Sequence, residues 1–222
     1  MRYLWQYHGA PKLDEIVSRF PGLRPRNVTA TDKERQAIMT AAPPHLRLWL
    51  LFCADLAIRS GTAARIDPSH YDANRRELRF TTKYGEHLTL PCTAEIVALI
   101  NQCDPHSDYP FVRQLWAEDA RHRWGRKPKL DPNDPSPLSK QFCTLRRSLG
   151  ITRKLTPHDL RRTAAVHMLE ATGDLRDVQA LLGHRNLTST LWYLDHDMRP
   201  VSRSVLERIK RPAWREQEEM TA

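Results

Sequence analysis

Apolar residues recur at helical spacing along most of the chain, and capping residues and prolines divide them into separate helices. A capping sequence at Thr31–Glu34 predicts the start of a helix that Pro43–Pro44 ends. A strongly apolar helix is expected from about His45 to Arg59, with a second short one after Gly61. Residues Ala94 to Asn101 have a helical pattern as well. The first half of the chain is therefore mostly helical.

The pattern changes to strict alternation between residues 76 and 91. The apolar members of this alternation are Leu78, Phe80, Leu88 and Leu90. Between the two runs lies Tyr84–Gly85, and glycine accepts the positive φ that a tight turn requires. The sequence therefore predicts a β-hairpin with Lys83 at its tip.

Three short helices are predicted in the C-terminal third. The first extends from a Thr156 N-cap to Gly173, and the second from an Asp174 N-cap to Gly183. A third begins at Thr188 or Ser189. Together with the hairpin, these elements predict a mainly α fold with a small antiparallel β-sheet, in the α+β class.

The chain is strongly basic. It has 222 residues, of which 35 are Lys or Arg and 26 are Asp or Glu, giving a formal net charge of +9. A field of this sign favours a polyanionic partner, and nucleic acid is the first candidate. The alternative at this point is a basic but otherwise ordinary enzyme.

Several other classes of protein are disfavoured. No apolar run approaches the roughly 18 residues that a membrane span needs, and the first residues do not resemble a signal peptide. The four cysteines form no CxxC pair, so we expect free thiols in a reducing compartment. These features predict a cytoplasmic, nucleoid-associated protein without a membrane partner.

A dense basic segment covers residues 121–129. Its cations are Arg121, Arg123, Arg126, Lys127 and Lys129. Such a segment is often only a solvated surface, but the overall charge favours contact with DNA phosphates.

His158 and Arg161 are three residues apart at the start of the helix that Thr156 caps. Their side chains therefore project near one helix N-terminus, where free N–H groups and the helix dipole favour an anion. The pair predicts a site shaped for a phosphate. The alternative is a capped helix with two polar residues facing solvent.

Two longer stretches contain these residues. Leu155–Ala165 holds an H-x-x-R motif, and Leu181–Tyr193 holds L-G-H, with Tyr193 nine residues after His184. Together they closely resemble the paired motifs of the tyrosine recombinase (phage integrase) family. The resemblance covers about residues 31–200 and implies that family's catalytic-domain fold.

The resemblance also assigns two upstream residues. Arg59 matches the family's first arginine, which follows a T-G-L sequence in the family and Leu56–Ala57–Ile58 here. The glycine of that pattern is replaced by Ala57. Lys83 matches the family's hairpin lysine, in the sequence Thr82–Lys83–Tyr84–Gly85.

The resemblance implies site-specific cleavage and rejoining of double-stranded DNA through a 3′-phosphotyrosyl intermediate, without a metal ion, cofactor or ATP. Arginine suits the phosphorane-like transition state because its planar guanidinium donates paired hydrogen bonds. The implied roles are Tyr193 as nucleophile, Arg59 and Arg161 as transition-state donors, Lys83 as acid, His158 as proton acceptor and His184 as a further donor. Arg162 and Arg185 are expected to contact DNA backbone or solvent.

The resemblance also implies a domain organisation. Residues 1–30 are expected to be a remnant of an N-terminal DNA-clamping domain plus a linker, 31–200 the catalytic domain and 201–222 a C-terminal helix. In the family such a helix often docks on a neighbouring protomer in a synaptic tetramer on DNA. Since the residues before 31 have room for only the last helix and the linker of such a domain, a catalytically inactive or truncated DNA-binding remnant is one alternative. A type IB topoisomerase and a basic domain without a nucleic-acid role are the others.

Overall fold

The computed structural model describes residues 28–82, 85, 87–124 and 135–194, the side chains of 121–124, Thr188 and Trp192 excepted. Nine α-helices and a three-stranded sheet lie in that part of the chain. The helices are α1 (Asp32–Ala41), α2 (Pro44–Ala54), α3 (Ser60–Ala63), α4 (Ala94–Ile100), α5 (Phe111–Trp124), α6 (Ser136–Ser148), α7 (Pro157–Thr172), α8 (Leu175–Leu182) and α9 (Leu187–Leu194). The strands are β1 (Tyr71–Asp72), β2 (Glu77–Thr81) and β3 (His87–Pro91).

This architecture confirms the predicted mainly α fold with a small antiparallel sheet. None of the helices in the described part of the chain is long and apolar enough to cross a membrane. Residues 1–27 and 195–222 lie outside the described residues, and with them most of the predicted N-terminal remnant and the C-terminal helix.

The core is built around α2, which is buried on nearly every side. Leu48, Trp49, Leu50 and Phe52 are each 0% exposed. A helix that is apolar all round has to be enclosed, and α5 and α7 pack against it. Helix α7, which contains the H-x-x-R motif, is thereby supported directly by the core.

The apolar helix ends earlier than predicted, at Ala54 instead of Arg59. Beyond it Ala57 adopts a positive φ of 48°, and the Ile58 N–H donates to the Phe52 carbonyl at 2.9 Å. This turn leads the chain into α3, with Arg59 as its N-cap residue. The glycine of the family pattern is therefore replaced at a position that still requires a left-handed backbone.

Replacing Ala57 with glycine is expected to raise the free energy of unfolding by up to about 1 kcal/mol, because glycine has no Cβ to strain at positive φ. The matched control is Ala63→Gly, since Ala63 is equally buried but lies within α3. That control is expected to lower stability by about 1 kcal/mol. Urea unfolding of both variants is the measurement, and a loss of stability in Ala57→Gly contradicts the prediction.

The predicted hairpin is present as β2 and β3. Leu78 pairs with Leu90 and Phe80 with Leu88 in an antiparallel register, and β1 adds to the other edge of β2. Leu78, Phe80 and Leu90 are buried while their neighbours face out, as period-two alternation requires. The sheet thus lies with its apolar face on the helical core.

The three C-terminal helices are present as α7, α8 and α9. Gly173 and Gly183 end the first two with φ of 70° and 59°, in the left-handed conformation expected of a helix C-terminus. The third helix starts at Leu187, one residue before the predicted Thr188. Its short connection from α8 places α9 back against α7.

The segment before α1 is attached to α7. The N–H of Ala30 donates to the Thr163 hydroxyl at 2.8 Å, and Arg153 donates to the Thr29 carbonyl at 2.7 Å. Thr31 then caps α1 in a reciprocal capping box with Glu34, as its sequence predicts. Residues 28–31 therefore belong to the same packed body as the helices.

Candidate active site

The N-terminus of α7 is fixed by a second capping box. The Thr156 hydroxyl accepts from the Asp159 N–H at 3.3 Å, and the Asp159 carboxylate accepts from the Thr156 N–H at 2.7 Å. Because this turn is rigid, His158 and Arg161 leave the helix in defined directions. His158 remains exposed, whereas Arg161 is 3% exposed.

Arg161 links two other parts of the site. Its guanidinium donates to the carbonyl of Ala57, in the turn before α3, and to the carbonyl of Leu182 at 3.0 Å, at the end of α8. Burial lowers the pKa of Arg161 to about 10, which leaves it charged at neutral pH. The positive φ of Ala57 therefore orients a carbonyl that holds this arginine.

Arg59 and Arg161 line one cavity of about 230 Å³, between the turn before α3 and the β-hairpin. One water occupies roughly 30 Å³, so there is room for a phosphate group. The hairpin contributes Phe80, Thr82 and Leu88 to its wall. Two guanidiniums facing such a cavity form an anion site.

His184 directly follows the left-handed Gly183. Its Nδ1 contacts the hydroxyl of Thr190 at 3.1 Å, and Thr190 is 0% exposed. Gln179 donates its side-chain amide to the His184 carbonyl at 2.9 Å. With Nδ1 engaged by Thr190, Nε2 is the ring nitrogen left for a ligand. Burial, followed by the charges of Arg161 and Arg59, lowers the pKa of His184 to about 4.

The Tyr193 ring lies among these groups. Its centroid is 5.3 Å from that of His158 and 5.8 Å from that of His184, both in edge contact. The Cζ atoms of Arg161 and Arg162 are each 5.9 Å from the same centroid. The phenol donates to the His158 carbonyl at 3.4 Å.

Burial and neighbouring charges hold both Tyr193 and His158 in their neutral forms. Burial raises the pKa of the Tyr193 phenol to about 12, against the opposing charges of Arg161 and Arg162. Partial burial of the ring and the charge of Arg161 lower the pKa of His158. Near neutrality the phenol therefore carries its proton, and His158 is free to accept one.

The structure brings five of the predicted catalytic residues into one region: Arg59, His158, Arg161, His184 and Tyr193. Arg59 is near the others, since its charge influences the pKa values of His158, His184 and Tyr193. Lys83 lies outside the described residues, between the two strands that border the cavity.

The predicted DNA contacts fall in several places. Arg126, Lys127 and Lys129 lie outside the described residues, as do the side chains of Arg121 and Arg123. Arg185 is exposed beside His184. The expected surface position of Arg162 is wrong, because its side chain is 3% exposed and donates to the Tyr193 carbonyl at 2.6 Å. Packing of α9 over α7 encloses it.

Two polar contacts of the site were not predicted from the sequence. Thr190 lies inside α9, and its hydroxyl contacts Nδ1 of His184. Thr190 is three residues before Tyr193, and residues at that spacing share a helix face. This spacing indicates that Thr190 faces the same site as Tyr193. No comparable signal marked the Arg162 contact with the Tyr193 carbonyl.

The low pKa of His184, about 4 against an ordinary 6.5, predicts acid-sensitive stability. The unfolded chain binds this proton more readily, so the stabilisation is fully present above about pH 6.5 and is lost as the pH falls toward 4. The loss is at most about 1.4 kcal/mol per pH unit for one proton.

Urea unfolding between about pH 5 and 7 measures this effect, and His184→Gln is expected to show a shallower pH dependence than the parent chain. Glu34, whose pKa is lowered to about 2 chiefly by its hydrogen bond with Arg153, loses its stabilisation only as the pH falls below its ordinary 4.5. Glu34 therefore contributes little to the pH dependence of stability over the measured range. If the free energy of unfolding depends on pH equally in the two proteins, the acid sensitivity does not come from His184 and the prediction is wrong.

This chain is similar to known proteins of one family. The model of the phage integrase family matches residues 29–199. The tyrosine recombinase XerC of Rhizobium meliloti (strain 1021) is 32% identical over 143 residues, which cover 63% of this chain and 42% of that protein. The chain thus spans less than half the length of that relative.

Solved structures share the fold. The crystal structure of XerA recombinase has a TM-score of 0.58 at 22% identity, covering 82% of this chain and 63% of that one. XerH site-specific recombinase, bound to its difH substrate in a pre-cleavage complex, has a TM-score of 0.59 at 18% identity, covering 84% of this chain and 54% of that one. These likenesses establish a common architecture.

Proposed function

Because the chain belongs to the phage integrase family of tyrosine recombinases, we propose that it cleaves and rejoins double-stranded DNA at specific sites through a 3′-phosphotyrosyl intermediate. The observation that carries the proposal is the position of the Tyr193 phenol, which lies beside the Arg161 guanidinium and between two histidine rings.

In the cleavage step the Tyr193 oxygen attacks the scissile phosphorus and the bond to the 5′ oxygen breaks. The phenolic proton passes to His158, which is neutral and adjacent. Arg59 and Arg161 donate to the non-bridging oxygens, where negative charge gathers in the transition state. We assign His184 as a further donor to the phosphate and Lys83 as the acid that protonates the departing 5′ oxygen.

Rejoining reverses the same step. A 5′-hydroxyl gives its proton back to Lys83 and attacks the phosphotyrosyl phosphorus, while the tyrosine oxygen leaves and takes its proton back from His158. The number of phosphodiester bonds is conserved, so no ATP is consumed. The two guanidiniums supply the positive charge that the transition state needs, so the proposal includes no metal ion or cofactor.

Double-stranded DNA is the proposed partner. The net charge of +9 and the basic segment at 121–129 support electrostatic binding to the backbone. XerH, which has the same fold, was solved on a DNA substrate. We further propose that residues 201–222 mediate self-association on DNA in a synaptic tetramer, and that the protein acts on the nucleoid in the cytoplasm.

Covalent trapping tests the proposal. The probe is a pool of nicked duplexes with a randomised core of about 30 base pairs, in which the short strand beyond the cleavage point diffuses away and prevents rejoining. The chain is expected to form a denaturant-stable adduct that Tyr193→Phe does not form. DNA retained by both proteins without any adduct contradicts catalysis and supports a DNA-binding remnant.

Two further measurements separate the remaining alternatives. Relaxation of supercoiled plasmid without sequence preference supports a type IB topoisomerase. The salt dependence of DNA affinity tests for a domain with no nucleic-acid role. Counterion release predicts that log K falls by about 0.9 per neutralised phosphate for each unit of log salt, and a flat dependence contradicts DNA binding.

A further inference from the structure

Arg162 is adjacent to Arg161 on α7, but its side chain leads to a different part of the site. Its guanidinium donates to the backbone carbonyl of Tyr193 at 2.6 Å, and its Cζ lies 5.9 Å from the centre of the phenol ring. Arg161 instead donates to the carbonyls of Ala57 and Leu182. The two arginines therefore hold different segments of the site in place.

The burial of Arg162 distinguishes it from a DNA-contacting arginine. The side chain is 3% exposed, and charged groups are rarely buried unless they are paired or hydrogen-bonded. An arginine that serves mainly to neutralise DNA phosphates stays at the surface, as Arg185 does. The hydrogen bond of Arg162 is instead directed to the backbone of the residue that bears the phenol.

We propose that Arg162 is a positioning residue for DNA cleavage, which holds α9 against α7 through the Tyr193 carbonyl so that the phenol stays aligned beside Arg161 and His158. This inference rests on the proposed role of Tyr193 as nucleophile. Because the anchor is the carbonyl, the phenolic oxygen remains available to react while its helix is fixed.

Alignment of this kind affects the chemical step more than binding. In-line attack requires the phenol oxygen to approach the phosphorus opposite the leaving oxygen, and a misplacement of about 1 Å can slow such a reaction about 10²-fold. Loss of the Arg162 contact is therefore expected to lower the cleavage rate at saturating protein while DNA affinity stays nearly constant.

Arg162→Met and Arg162→Lys test this expectation in the adduct assay with the nicked duplex pool. Arg162→Met is expected to lower the saturated rate about 10²-fold with DNA affinity within about twofold of the parent. Arg162→Lys keeps a donor for the carbonyl and is expected to recover at least about tenfold of that loss. It also serves as the test variant should Arg162→Met fail to fold.

Arg185→Met is the matched control, because Arg185 is exposed beside the same site. It is expected to weaken DNA affinity, as the loss of one phosphate contact does. If Arg162→Met weakens DNA affinity by at least as large a factor as it lowers the saturated rate, Arg162 contacts DNA and the inference is wrong. A parental saturated rate in Arg162→Met also overturns it.

Hydrogen exchange without DNA separates this inference from the proposed function. The peptide spanning residues 187–194 is expected to exchange faster in Arg162→Met than in the parent chain, with Arg162→Lys between them. A peptide from α2 serves as the reference. Unchanged exchange in α9 overturns the positioning role, whereas absence of an adduct in the parent chain overturns the proposed function alone.

Discussion

Replacing Arg161 with lysine is expected to slow formation of the covalent DNA adduct by about 10² to 10³-fold, which corresponds to the loss of one transition-state donor. Lysine keeps the charge but cannot donate paired hydrogen bonds to a phosphate. It also cannot satisfy the carbonyls of Ala57 and Leu182 while facing the cavity, as the Arg161 guanidinium does. Single-turnover cleavage of the nicked duplex pool at saturating protein measures the effect.

Arg113→Lys provides the control for this substitution. Arg113 lies on α5, where its guanidinium stacks over the Tyr109 ring at 4.0 Å and takes no part in the site. It is expected to cleave at the parental rate. If Arg161→Lys also cleaves within about threefold of the parent, the transition-state role of Arg161 is wrong.

Gly183→Ala is expected to lower the free energy of unfolding by about 2 kcal/mol and to impair cleavage. An L-residue at φ of 59° is strained by about 1 kcal/mol. The added Cβ would in addition lie 2.8 Å from Cδ1 of Leu88, so the Leu88 side chain has to shift. Leu88 lines the cavity and His184 directly follows Gly183, so both the cavity wall and the backbone before His184 are perturbed.

Gly173→Ala is the matched control, because Gly173 has φ of 70° and a Cβ added there would meet nothing within 4 Å. It is expected to lose only about 1 kcal/mol. The difference between the two variants in urea unfolding isolates the contact with Leu88. Combining Gly183→Ala with Leu88→Ala should recover that difference, and a purely additive double variant contradicts the steric explanation.

Much of this fold follows from local features of the sequence. The capping boxes at Thr31 and Thr156 depend on residues three positions apart, and the hairpin depends on alternation around one glycine. The H-x-x-R spacing and the interval from His184 to Tyr193 are likewise local. These motifs carry the family resemblance, and five of the six catalytic residues that the resemblance assigns lie together in the structure.

The features that the sequence did not reveal depend on contacts between distant segments. Arg161 and Arg162 are neighbours in sequence and chemically identical, and only the packing of α9 decides that Arg162 is enclosed beneath Tyr193. The left-handed turn at Ala57 has no glycine to mark it. The burial of Thr190 against His184 is visible only once α8 and α9 are placed side by side.

The most direct test of cleavage through Tyr193 is to identify the covalent bond between protein and DNA. Adduct from the nicked duplex pool is trimmed with nuclease, digested with protease and mapped by mass spectrometry, while the released DNA end is tested as a kinase substrate. Attack by Tyr193 predicts a nucleotide joined through its 3′-phosphate to the peptide containing Tyr193, and a free 5′-hydroxyl on the other DNA end. A nucleotide on any other residue, or a linkage through a 5′-phosphate, contradicts it.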